Sequence, residues 1–154
     1  MRILHTGPFE VGSFTESRRR AFEKLGHEVI GLDQVPYFRN PRLPFMIRKA
    51  QMHSHIGPGV WRYNRDIRKR ARDAKPDLIY VDVGAHLWPE TVADLRTTGA
   101  QIVHFTGEDF AFRTYFYRHL FKAVPLYDVH VIVLPPSRPY LEERGARKII
   151  MSAP

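Results

Sequence analysis

The sequence predicts an α/β domain: a three-layer Rossmann-like fold with a mostly parallel six-stranded sheet and helices on both faces. Three observations predict it. Short β-branched runs alternate with helical patterns along the whole chain. Glycine or proline stands at the boundaries between them. An apolar content of 44% over 154 residues is enough for one packed core. Such alternation implies right-handed crossovers, and hence a parallel sheet. Residues 1–154 read as one domain, with an irregular basic insertion over about 33–58.

The first strand is expected over residues 2–6. Ser13-Phe14-Thr15-Glu16 has the capping-box form and opens a helix over about 15–25, with Ala21, Phe22 and Leu25 on one face and Gly26 as its stop. Residues 27–32 form the second strand. Between Asp33 and Pro58 the regular pattern is lost: Pro36, Pro41, Pro44 and Pro58 punctuate aromatic and basic residues, and only 45–52 reads as a short helix. The stretch 60–74 is a stronger helix, with Tyr63, Ile67, Ala71 and Ala74 on one stripe and Arg62, Arg65, Lys69 and Arg72 on another. The third strand covers 77–81. Pro89 and Glu90 open a helix that Gly99 closes. Then come a fourth strand at 101–105, an aromatic helix over about 110–123, a fifth strand at 129–134, a short helix at 137–144 and a sixth strand at 148–151.

Composition removes several kinds of chemistry. The chain has no cysteine, which excludes disulfides, thiolate catalysis and cysteine-based zinc sites. No apolar run approaches the ~20 residues of a membrane helix, and no signal-peptide pattern is present, so the expected location is the cytoplasm. The formal charge is +8, and basic residues crowd the stretch from Arg39 to Lys75, opposed there only by Asp66 and Asp73. That stretch is either a solvated surface or a site for an anionic partner, with Arg62, Arg65, Lys69 and Arg72 as its helical face. The anionic partner could be a membrane surface, although Trp61 is the only aromatic anchor on that helix. Nucleic acid is not expected, because no helix-turn-helix, RNP or zinc-finger motif accompanies the charge.

In open parallel sheets, ligands bind beyond the carboxyl ends of the strands. The segments placed there contain Gly7, Glu10, Gly12, Ser13, Asp82, His104 and Gly107 as candidate substrate-binding residues, and Glu108 and Asp109 as candidate catalytic ones. The loop from Gly7 to Ser13 is neither GxGxxG nor GxxxxGK[ST], so it reads first as a strand-to-helix turn, with phosphate binding as the alternative. One carboxylate of the Glu108-Asp109 pair could serve as a general base, while Asp109 could instead cap the following helix. His104 is a core or a catalytic histidine, and Asp82 a ligand or a loop-capping group. His53, His55 and His86 do not form a metal pattern, and no metal is expected. No GxSxG elbow supports a serine hydrolase.

The segments MRILHTG, SRRRAFEKLGHEV, KPDLIYVD, WPETVADLRTTGAQIVHFTGEDF and VHVIVLPP followed by YLEERGARKIIMSAP resemble the N-terminal Rossmann-like domain of GT-B glycosyltransferases. Within them the sequence is most similar to the CgeB-like, spore-protein-related group. The resemblance covers nearly the whole chain outside residues 39–57. It implies that the chain is the acceptor side of a cleft lined by residues 7–13 and 107–109, with Glu108 or Asp109 activating an acceptor hydroxyl. It also implies a nucleotide-sugar donor held by a C-terminal donor domain or partner chain that these 154 residues do not include, a sugar acceptor as the other substrate, and no cofactor bound by this chain. Alone, the chain is then expected to be inactive as a transferase. The competing expectation is a non-catalytic α/β module that holds an anionic partner through residues 39–75. A phosphate-receiving regulator is disfavoured because no acidic pair follows the first strand.

Overall fold

The computed structural model describes residues 1–112 and 114–152. Its six strands are β1 (Arg2–Gly7), β2 (Glu28–Asp33), β3 (Leu78–Asp82), β4 (Gln101–Thr106), β5 (Val129–Ile132) and β6 (Ile149–Met151). They form one sheet of order β2-β1-β3-β4-β5-β6 in which every pairing is parallel. The α/β fold is therefore as the sequence predicts, and the sheet is wholly rather than mostly parallel.

Seven helices connect the strands: α1 (Phe14–Lys24), α2 (Val35–Phe38), α3 (Phe45–Ser54), α4 (Pro58–Ala74), α5 (Pro89–Arg96), α6 (Arg118–Ala123) and α7 (Arg138–Glu142). Ser13 caps α1 by accepting a hydrogen bond from Glu16 N. The reciprocal half of the capping box does not form, because the Glu16 carboxylate binds Arg19 and Arg20 instead. Two expectations need correction. The insertion at 33–58 is less irregular than expected: the short helix read at 45–52 is present as α3, and a further one, α2, precedes it. The aromatic segment expected as one helix over 110–123 is two 3-10 turns, Phe110–Phe112 and Thr114–Tyr117, followed by α6; Arg113 lies outside the described residues.

Side-chain alternation sorts the two sheet faces. Leu4, Ile79, Val81, Ile102 and Ile132 point to one face and pack with Tyr63, Ile67, Leu95 and Leu120 of α4, α5 and α6 in the main core. On the other face His5 and Tyr80 meet Phe22 of α1. Right-handed connections in this strand order put α4 to α7 on the first face and leave α1 for the second. Phe105, Val131 and Ile150 share that second face through the register Phe105↔Val131↔Ile150. Phe105 and Val131 are half-buried there and Ile150 is exposed.

Candidate functional site

Strand order reverses between β1 and β3, so the loops that follow them leave in opposite directions and open a crevice at the carboxyl edge of the sheet. Asp82, the last residue of β3, forms its floor. Its side chain is 3% exposed, its Oδ2 accepts a hydrogen bond from His5 Nε2 at 2.6 Å, and its Oδ1 pairs with Arg18 Nη1. The Arg18 guanidinium also lies 3.7 Å above the Phe105 ring, where a cation is favourable. Both carboxylate oxygens of Asp82 are thus committed to the protein, and it acts here by tying β1, β3 and α1 together. Its close approach explains Gly7. A Cβ at position 7 would stand 2.7 Å from Asp82 Cβ and 2.9 Å from Thr15 Cγ2, nearer than such atoms pack.

The loop after β1 is closed by its own contacts. Ser13 Oγ donates to Pro8 O, Ser13 N donates to Glu10 O, and Asp33 Oδ1 accepts from Phe9 N and Val35 N. Gly12 takes φ +80° with open space where a side chain would be, so it serves the turn. Glu10 pairs with Arg39 of the insertion. Glu16 in the first turn of α1 is held down at about 2, chiefly by its hydrogen bond from Arg19. The Glu16 carboxylate therefore already stands in the first turn of α1, at its positive end.

Beyond β3 the chain makes a tight reversal. Val83 sits at φ +68°, and Gly84 N donates to Asp82 O at 2.8 Å, the bond of a γ-turn. A β-branched residue in this region is strained, and the bond from Val83 N to Phe105 O secures it. Under the turn lies His104, fully buried, with Nε2 3.2 Å from Val83 O and Nδ1 3.0 Å from His130 Nδ1. His130 Nε2 in turn faces Val124 O at 3.0 Å. In a neutral pair one Nδ1 donates to the other, so only one of the two Nε2 atoms keeps its proton for a carbonyl. Burial pushes both histidines below their ordinary range. His104 is a core histidine.

At the end of β4, Asp109 Oδ1 accepts from Ala111 N and so caps the 3-10 turn that follows. Ser137 Oγ donates to Glu108 O, fixing the backbone there. Gly107 and Glu108 are exposed, and the Glu108 carboxylate makes no hydrogen bond or ion pair among the described residues.

A hollow also lies in the insertion. A pocket of about 590 Å³ lies between the end of α2, one side of α3 and Phe116. The short helix expected at 45–52 supplies Phe45, Arg48, Lys49 and Met52 at helical spacing, but the pocket was missed because its Phe116 wall comes from a segment distant in sequence. Behind it His55 Nδ1 meets His86 Nδ1 at 2.8 Å, and burial holds these rings near about 4 and about 3. His53 lines the pocket, away from that pair. No group of three or more His, Asp or Glu side chains among the described residues could hold a metal ion. On α4, Arg62, Arg65, Lys69 and Arg72 are all exposed; Arg65 and Lys69 pair with Asp66 and Asp73, whereas Arg62 and Arg72 have no acidic partner among the described residues.

No family model matches the chain, and no curated protein matches its sequence. No helix among the described residues is long and apolar enough to cross a membrane.

Proposed function

We propose that this chain is the acceptor-side domain of a glycosyltransferase that moves a sugar from a nucleotide-sugar donor to a hydroxyl acceptor. The observation that carries this reading is the position of Glu108: an exposed carboxylate without a partner among the described residues, at the carboxyl end of a parallel strand, beside the crevice floored by Asp82. The resemblance of the sequence to GT-B N-terminal domains points the same way. An acceptor hydroxyl is a poor nucleophile until a base takes its proton as the new bond forms. Glu108 supplies that base. Its neighbours fix its backbone through Ser137 and Thr106, and Asp109, engaged as a cap, does not compete for the proton. Donor contacts fall to a second domain or a partner chain.

The test uses the chain joined to whatever polypeptide its gene encodes downstream, or supplied with a partner chain, and measures transfer of labelled sugar. Glu108→Gln is expected to lower kcat by about 100-fold or more with little change in KM. Transfer that survives this substitution would remove Glu108 from the chemistry. A second reading, a non-catalytic module for an anionic partner, is supported by Arg62 and Arg72, which lack acidic partners among the described residues.

A further inference from the structure

The pocket of the insertion has two kinds of wall. Phe38, Phe45, Met52 and Phe116 give it an apolar interior. Arg39, Arg48, Lys49 and His53 set basic groups around the same space. Arg39 is engaged by Glu10, but Arg48 and Lys49 have no carboxylate partner among the described residues. Arg48 Nε is moreover buried without a hydrogen-bond partner, a costly state for part of a charged group. Phe45 and Met52 remain 65% and 40% exposed, although they face a concavity.

These groups are held in place rather than draped on the surface. Gln51, on the opposite side of α3, is 1% exposed and accepts from Gly59 N at 3.1 Å. Position 59 must be glycine for this contact, since a Cβ there would lie 2.2 Å from Tyr37 O. Arg118 binds Ser54 O at the end of the helix, and Trp88 Nε1 donates to His55 O just past it. A pinned helix therefore presents a mixed apolar and cationic face at a fixed distance from α2.

We infer that this pocket binds a phosphate-headed amphiphile, with the phosphate at Arg48 and Lys49 and the apolar body against Phe38, Phe45, Met52 and Phe116. The chemistry selects this class. A small inorganic anion would leave the four apolar side chains wet, and a polyanion would meet too much apolar wall. Two adjacent cations suit a dianionic phosphate better than a single carboxylate, and a guanidinium can bind phosphate through two parallel bonds. The volume falls within the ~300–1,000 Å³ of small-molecule sites. The inference does not depend on the transferase reading and stands or falls by binding alone.

The experiment titrates the protein calorimetrically with decyl phosphate below its micelle concentration, inorganic phosphate, decanol, and phosphatidylcholine vesicles with or without phosphatidic acid. Decyl phosphate is expected to bind saturably, at least about tenfold tighter than inorganic phosphate or decanol. Arg48→Met with Lys49→Met keeps the apolar stems and is expected to weaken binding by about tenfold or more with the thermal midpoint unchanged. Met52→Asp, at a half-exposed wall position, should weaken it independently. Saturation by monomeric decyl phosphate indicates a free metabolite. Binding confined to phosphatidic acid vesicles, and lost in the double variant, indicates a lipid headgroup. Inorganic phosphate or decanol binding as tightly as decyl phosphate, or binding of both phosphate probes indifferent to the double variant, would overturn the inference.

Discussion

His55, His86, His104 and His130 lie inside the protein with pKa values pushed down, in every case chiefly because burial disfavours the charged ring. The unfolded chain takes up protons near its ordinary value of 6.5, while the folded chain takes them up only at lower pH. Below 6.5 the unfolded state therefore binds more protons, and stability falls as pH falls. For His55 and His86 the loss continues down to about 4 and about 3. For His55 and His86 this costs up to about 2 kcal/mol each by about pH 5. The urea midpoint should accordingly drop between about pH 7.5 and about pH 5, and an unchanged midpoint would show that these rings are not held neutral. Sequence reading left His104 between core and catalysis, and the neighbour that decides it, His130, comes from the next strand. Likewise the glycine at position 7 was legible as a turn residue, but the demand for it comes from Asp82, distant in sequence.

At the level of elements, proline was the misleading signal. Pro36 and Pro58 occupy the first turns of α2 and α4, and Pro44 stands immediately before α3. Proline there begins a helix rather than breaking one, since the missing N–H belongs to a turn whose amides are unpaired anyway. The spacing in α1 and α4 was strong enough to be read directly. The expected aromatic helix failed because its apolar residues pack on several sides at once: Phe110 and Tyr117 meet each other and both touch Phe121. The insertion's order hangs on Gln51. Gln51→Leu keeps the volume but removes the acceptor of Gly59 N. We expect a cost of about 1–3 kcal/mol, together with faster hydrogen exchange across α3 than in α4. Uniform exchange in both helices would mean that α3 is anchored elsewhere.

For the whole molecule, the strand order matters more than any single contact. Successive steps from β3 to β6 all run in one direction, so their helices gather on one face and α1 is left to cover the other near β1 and β3. Phe105, Val131 and Ile150 form an apolar row that reaches solvent on that second face. Exposed rows of this kind bind hydrophobic dyes and promote association. Val131→Thr with Ile150→Thr should lower dye fluorescence and concentration-dependent sedimentation without altering the fold; equal association in the variant would place the sticky surface elsewhere. Fold class was readable from periodicity alone, but strand order and face coverage were not, because neither is written in local spacing.

The one-way growth of the sheet also gives the domain a gradient of endurance. β1 is flanked by two partner strands and has helices above and below it, whereas β6 contributes three residues, pairs only with β5 among the described strands, and keeps Ile150 and Met151 at 41% and 40% exposure. Openings of the native state start where little is buried. Local opening is therefore expected to begin at β6, and amide exchange should be fastest there and slowest around the crevice at β1 and β3.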